Sequence, residues 1–165
     1  ADRAKYLTKQ AKNDGIRYIH DEIGYNLRLT NIQAALGVAQ LEQLKGFLEC
    51  KKKIHHKYVN DVENISGLGM AKVPNYAKNN HWMNILQIDP VIYRYDRETI
   101  MDNLRIKGIQ TRPVWYLNHL QKPYSECQTY KIERAHELVD ISLCLPSSSL
   151  LSDEDISKIV SVLNG

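Results

Sequence analysis

The feature that most constrains this chain is a long helix signal that opens at Thr30. Thr30, Asn31, Ile32 and Gln33 have the S/T-x-x-E/Q form, in which the Thr hydroxyl takes one orphan backbone N–H of the first turn and the Gln side chain reaches back to another. Beyond it, Ile32, Ala35, Leu36, Ala39, Leu44, Phe47, Leu48, Ile54, Tyr58 and Val62 recur at steps of three and four, with Gln, Glu and Lys mostly between them. The early part is rich in small residues, Ala34, Ala35, Gly37 and Ala39, which let another backbone come close. We read it as a helix pressed against a domain or a second subunit. If unbroken to about Asn64 it spans roughly 50 Å at 1.5 Å per residue, unless Gly46 kinks it.

Just ahead lies a polar turn holding Gly24, Tyr25, Asn26 and Arg28. A flexible backbone point, a ring, an amide and a guanidinium are gathered against a rigid element. Arg offers a fork of donors and Asn a neutral one, a set suited to a phosphate. The alternative is an Asn that satisfies its own turn and an Arg that pairs with Asp21 or Glu22. A metal site from His20, Asp21 and Glu22 is disfavoured, because adjacent side chains do not easily point at one ion.

The run G-Y-N-L-R-L-T-N-I-Q-A-A-L-G-V-A-Q-L resembles the segment G-x-N-x-R-[ML]-[TS]-x-[IL]-Q-A-A-[IL]-G-x-x-Q-L of the DegT/DnrJ/StrS family of pyridoxal phosphate (PLP)-dependent sugar-nucleotide aminotransferases. The agreement is continuous and without gaps. It implies the α/β fold of the C-terminal part of a fold type I transferase, with a long spine helix and a small three-stranded sheet with flanking helices. Residues 1–29 would be a remnant of the large PLP-binding domain, and residues 30–165 the small domain with its linking helix. It also implies that Asn26 reaches the PLP phosphate of a neighbouring subunit, with Arg28, Gly24 and Tyr25 beside the same site, in a homodimer that shares its active sites.

A second cluster, R-P-V-W-Y-L-N-H-L-Q-K-P-Y, runs from Arg112 to Tyr124. Its rings, Trp115, Tyr116 and Tyr124, suit stacking on a base or sugar, and Arg112 and His119 suit a diphosphate. A domain surface with a few packed rings is the plainer alternative. The cluster is similar to the family loop W-x-P-[LM]-H-x-Q, which lines the sugar-nucleotide site, although Leu117 and Asn118 depart from it. By that resemblance Arg112, Trp115, Tyr116 and His119 are substrate residues, and the R-P-V-W variant leans towards UDP-linked sugars. L-P-S-S-S-L-L-S-D-E-D-I near the end resembles a further family segment and suggests no chemistry of its own.

With 165 residues, 43% of them hydrophobic and 25% charged, the chain has the composition of an ordinary globular domain. No apolar run approaches a membrane span, and the start carries no signal-peptide pattern. The net charge of +3, with both signs interspersed, does not point to nucleic acid, and Lys51, Lys52 and Lys53 read as a solvated helix face. Three widely spaced cysteines suggest neither a disulfide framework nor a zinc knuckle, and a reducing cytoplasm fits them best.

In chain order, a short helix is expected from Ala1 to Gly15 and an extended stretch from Arg17 to Ile19. After the spine come a turn at Ser66–Gly69, a loop at Pro74–Asn80 and a strand from Trp82 to Asp89. Trp82, Asn84, Leu86 and Ile88 share one face of that strand. A helix capped by Asp96 stops at Gly108, and a second strand over Ile109–Trp115 has Pro113 at its end or on an edge. A helix over Tyr130–Val139, a short buried strand ending at Pro146 and a final helix capped by Ser152 complete the pattern.

Transamination needs a lysine that holds PLP as a Schiff base. In the family it lies upstream of the point matching Ala1, so no catalytic lysine is assigned here and the isolated chain is expected to be inactive. The resemblance, with Ala in first place, suggests a piece of a longer protein. That protein would move an amino group from glutamate to a keto sugar on a nucleoside diphosphate, for surface polysaccharide or glycan synthesis. Two other readings compete: a non-catalytic interaction module docking through its spine helix, and a nucleotide-binding fragment acting through Arg112 and Trp115.

Overall fold

The structure, a computed structural model, describes residues 1–14, 16–17 and 19–165. The expected helix stop at Gly15 and the extended residue Tyr18 lie outside them. Packing divides the chain into two units, Ala1–Lys45 and Gly46–Gly165. The division falls inside the long helix, whereas the resemblance sets its own domain division ahead of it.

The first unit opens with α1 (Asp2–Leu7), followed by β1 (Lys12–Asp14) and β2 (Ile19–His20), which pair antiparallel. The helix is shorter than the pattern suggests. Gln10 and Ala11 take positive φ values of 68° and 48°, which no helix accommodates, and the Gln10 N–H bonds the Tyr25 carbonyl at 3.0 Å. Pairing with a distant segment thus overrides weak local helix preference.

Then α2 runs unbroken from Asn31 to Val62, straight through Gly46. Its start is built as expected: the Thr30 N–H donates to Gln33 Oε1 at 2.9 Å, and the Gln33 N–H donates to Thr30 Oγ1 at 3.3 Å. Only Ile54, Tyr58 and Val62 of α2 are buried, all in the second unit.

The second unit holds one sheet in the order β3-β4-β6-β5, entirely antiparallel: β3 (Leu68–Met70), β4 (Asn84–Ile88), β5 (Arg112–Pro113) and β6 (Ser142–Leu145). The sheet has four strands rather than three. Gly67 and Gly69 mark the 66–69 stretch as a turn, yet Leu68 pairs with Ile88 and Met70 with Leu86. Gly67 makes the bend with φ of 82°, where a Cβ would stand 2.6 Å from the Tyr93 nitrogen. Strand β5 lies on the sheet edge, where Pro113, lacking an N–H, is tolerated.

Helices α3 (Arg97–Ile106), α4 (Glu133–Asp140) and α5 (Asp153–Asn164) flank the sheet. Asp96 caps α3 through the Thr99 N–H, and Ser152 and Asp155 form a capping box on α5. Leu86, Ile88, Leu143 and Leu145 of the central strands meet Ile54, Tyr58, Ile100, Leu104, Ile156 and Leu163 in one core. Asn84 is a polar residue within it, fully buried and hydrogen-bonded to His55 Nδ1 at 3.0 Å. Among the described residues no helix is long and apolar enough to cross a membrane.

Candidate functional site

In the first unit the turn before α2 is laid along the end of α1. The Tyr25 N–H donates to the Leu7 carbonyl at 2.8 Å and the Leu27 N–H to the Thr8 carbonyl at 3.1 Å, with Asn26 bridged to Lys9 between them. Gly24 makes this approach possible: a Cβ there would lie 2.3 Å from the Ala11 nitrogen and the Gln10 carbonyl carbon. Gly24 therefore has a packing role that its place in the motif did not reveal.

This backbone carries Asn26 and Arg28, both exposed, and Tyr25, 61% exposed. The acids that offered themselves to Arg28 are engaged elsewhere. Glu22 is in a two-pronged ion pair with Arg3, and Asp21 accepts from the Asn13 amide. The Arg3 guanidinium holds the Glu22 carboxyl below the usual carboxylate range. His20 Nδ1 lies 2.6 Å from the Gln10 carbonyl oxygen. Among the described residues no side chain partners Asn26 or Arg28. What remains is an amide and a guanidinium, two residues apart and free to donate, in front of a capped helix.

In the second unit, Arg112 opens β5 opposite Cys144 and is exposed, with no ion pair or side-chain hydrogen bond among the described residues. Trp115, 64% exposed, tilts against Trp82, 63% exposed, with ring centroids 5.9 Å apart. Tyr116 is 60% exposed. His119 stands in the 3₁₀ turn Asn118–Leu120, and its Nε2 is 3.1 Å from His136 Nε2 on α4. At that distance one imidazole donates and the other accepts, so His119 is oriented by a residue that the sequence pattern gave no reason to pick.

Arg112 also lines a cleft of about 260 Å³ with Lys51, Trp82, Met83, Gln110 and Ser147. Of these, Lys51, Trp82, Met83, Gln110 and Ser147 were not picked out as site residues. Lys51 Nζ donates to the Ser147 carbonyl, and Ser147 Oγ bonds the Trp82 carbonyl at 2.7 Å and Asn84 Nδ2 at 3.3 Å. A serine in a stretch that suggested no chemistry is thus the joint between core and surface. Lys51 is also no plain solvated lysine, as the basic run suggested, while Lys52 and Lys53 are exposed.

A mixed α/β unit with a long lead-in helix and a small antiparallel sheet is the fold of the C-terminal domain of PLP-dependent aminotransferases. It is shared with the PLP-form of Spr1654 from Streptococcus pneumoniae at a TM-score of 0.79 and 19% identity, covering 97% of this chain and 41% of that one. The chain belongs to the DegT/DnrJ/EryC1/StrS aminotransferase family, whose model matches residues 1–164. EpsN of Bacillus subtilis (strain 168) is 32% identical over 98% of this chain and 42% of its own length. The GDP-perosamine synthase of Escherichia coli O157:H7 is 33% identical over 99% of this chain and 43% of its own. The chain thus spans under half the length of these relatives and corresponds to their C-terminal part.

Proposed function

We propose that the parent protein is an aminotransferase that uses PLP to move an amino group from glutamate to a keto sugar carried by a nucleoside diphosphate, for surface polysaccharide or glycan synthesis in the cytoplasm. The observation that carries this reading is the free donor pair Asn26 and Arg28 on the motif that the family model covers. The donor set suits the phosphate end of PLP: a charged fork and a neutral amide, both unspent. The bound cofactor supplies the electron sink that lets a C–H bond break as the amino group moves.

The residues here do the rest by binding and orientation. Asn26 and Arg28 donate to phosphate oxygens of a site completed by a second copy of the parent subunit. Gly24 and Tyr25 set the approach of that backbone. Arg112, Trp115 and Tyr116 meet the sugar nucleotide, and His136 holds the His119 ring in place. The R-P-V-W variant favours a uridine nucleotide, while the name of the E. coli relative speaks for guanosine.

The test is made on the intact parent protein. Asn26→Ala should retain PLP about tenfold less well through dialysis, with an unchanged circular dichroism spectrum, since one hydrogen bond to a charged group contributes about 1.5–3 kcal/mol. Wild-type protein that neither retains PLP nor aminates any keto sugar nucleotide would overturn the reading. A second reading, a non-catalytic docking module, draws on the exposed Ile32, Leu36 and Leu41 of α2, at 83%, 63% and 68%. A sedimenting monomer without affinity for PLP would favour it.

A further inference from the structure

Three imidazoles converge where α2 passes the segment leading into β4. His55 and His56 have ring centroids 6.1 Å apart, and His81 stacks on His55 at 4.2 Å with the two planes 26° from parallel. His81 is brought there under constraint. Asn79 Oδ1 accepts from the His81 N–H at 2.9 Å, and Asn80 Oδ1 accepts from the Trp82 N–H at 3.0 Å. Between these two turns His81 takes a φ of 51°, in the left-handed region that non-glycine residues seldom enter unless the surroundings hold them there. His55 is oriented from the core, where its Nδ1 lies 3.0 Å from Asn84 Oδ1. An amide oxygen only accepts, so Nδ1 carries the hydrogen and Nε2 is the nitrogen left for another partner. A strained backbone and a core amide thus hold two rings face to face, and the Nδ1 of His81 is shielded from water without a partner.

The stack does not suit a metal ion. Imidazole lone pairs lie in the plane of the ring, so two nearly parallel rings aim past one another, and the described residues hold no group of three metal-ligating side chains. It does suit an anion. His55, His56, His81 and Lys72 line a cleft of about 660 Å³ between α2 and β3, a size that takes a small metabolite. Lys52 is close enough to act on His81 electrostatically, and neither Lys52 nor Lys72 has an ion pair or side-chain hydrogen bond among the described residues. Two stacked rings that both took up a proton would repel each other. Burial, then His55, His56 and Lys52, accordingly hold the His81 pKa below its usual value. A negative charge among these groups would relieve that repulsion. Glu63 is the one carboxylate among the lining residues, and it stands two turns along α2 from His56, about 10 Å at 1.5 Å per residue. Much of the remaining wall is apolar, from Val59, Leu68, Met70 and Val73.

We propose that this cleft binds a small organic anion, a carboxylate or phosphate monoester on an apolar body, with its head at His55, His56, His81 and Lys72 and its body along Leu68 and Met70. The Glu63 carboxylate disfavours a second anionic group on the same ligand. None of these residues is among those given to the cofactor or the sugar nucleotide, and the site stands whether or not the parent protein is an aminotransferase. Anion and imidazolium stabilise each other, so the head is bound with proton uptake by the rings. Lys52 and Lys72 stay charged meanwhile, and Glu63 stays ionised.

The test uses the intact parent protein loaded with PLP. Hexanoate and hexyl sulfate, the latter standing in for a phosphate monoanion, are titrated by calorimetry at about pH 6 and about pH 8, on either side of the usual imidazole pKa. Both probes keep a single charge across that range. At least one should bind, several-fold more tightly at the lower pH, and the tighter of the two names the head group. Acetate, which lacks the apolar body, and hexanol, which lacks the charge, should each bind at least about tenfold more weakly. Lys72→Met and His56→Gln, both at exposed positions, should each weaken binding by about three- to tenfold, with PLP retention and the circular dichroism spectrum unchanged. The proposal is overturned if neither anion binds, if the affinity is the same at both pH values, or if the two folded variants bind as tightly as wild type. None of those results touches the aminotransferase reading, which fails on PLP retention and amination instead.

Discussion

The two units of this chain solve opposite problems. Residues 46–165 bury their apolar side chains in one core, from Ile54 to Leu163. Among the described residues of 1–45 Ala11 is the buried apolar one, while Ile16, Ile23, Leu27, Leu29, Ile32 and Leu36 are between 63% and 91% exposed. The difference teaches that apolar burial is uneven along the sequence: the second unit holds a core of its own, and the first leaves the Asn26 and Arg28 donors and most of its large apolar side chains exposed.

The sharpest way to break this comparison is a matched pair of truncations. Leu143→Ala removes a side chain with no exposure and should cost about 2–5 kcal/mol in a urea titration. Leu36→Ala, at 63% exposure, should stay within about 0.5 kcal/mol. Equal losses would mean that the first unit carries core of its own.

A smaller contrast comes from two caps of the same chemistry. Ser152→Ala opens the capping box of α5 inside the second unit and should lower global stability by about 1 kcal/mol. Thr30→Ala opens the equivalent box at α2 within the first unit, and its loss should appear as faster amide exchange in the first turn with little change in the urea midpoint.

The mildest effect is one of pH. Burial, followed by the nearby His55, His56 and Lys52, holds the His81 pKa below its usual value. A histidine with a lower pKa folded than unfolded contributes its stability fully above the unfolded value of about 6.5, and loses it as pH falls through that value towards the folded one. The melting temperature should therefore decline as pH falls below about 6.5, and His81→Gln should flatten that decline. An unchanged slope would remove His81 as its source.

Local signals were legible in the sequence. The Thr30, Asp96 and Ser152 caps, the alternation through Asn84, Leu86 and Ile88, and the edge position of Pro113 were all visible, because each depends on residues within a few places of one another. What stayed hidden depends on partners far along the chain. Strand β3 looked like a turn because Gly67 beside it and Gly69 within it are local signals, while its partners Leu86 and Ile88 lie far along the chain. The Ser147 bonds to Trp82 and Asn84 span more than sixty positions, and no spacing rule connects them. For the candidate site the same holds: the donor pair Asn26 and Arg28 could be read, and the engagement of Asp21 and Glu22 that leaves it free could not.

The edge strand β5 bears on how this protein survives at high concentration. An open sheet edge is a template on which further chains can add, strand upon strand, into insoluble polymer. Here that edge is two residues long, one of them the proline whose nitrogen has no hydrogen to offer, and the other places a permanent cation beside it. The opposite edge, β3, is three residues long. A passing chain finds too few backbone groups on either side to start a ladder, so crowding favours no fibre from this sheet.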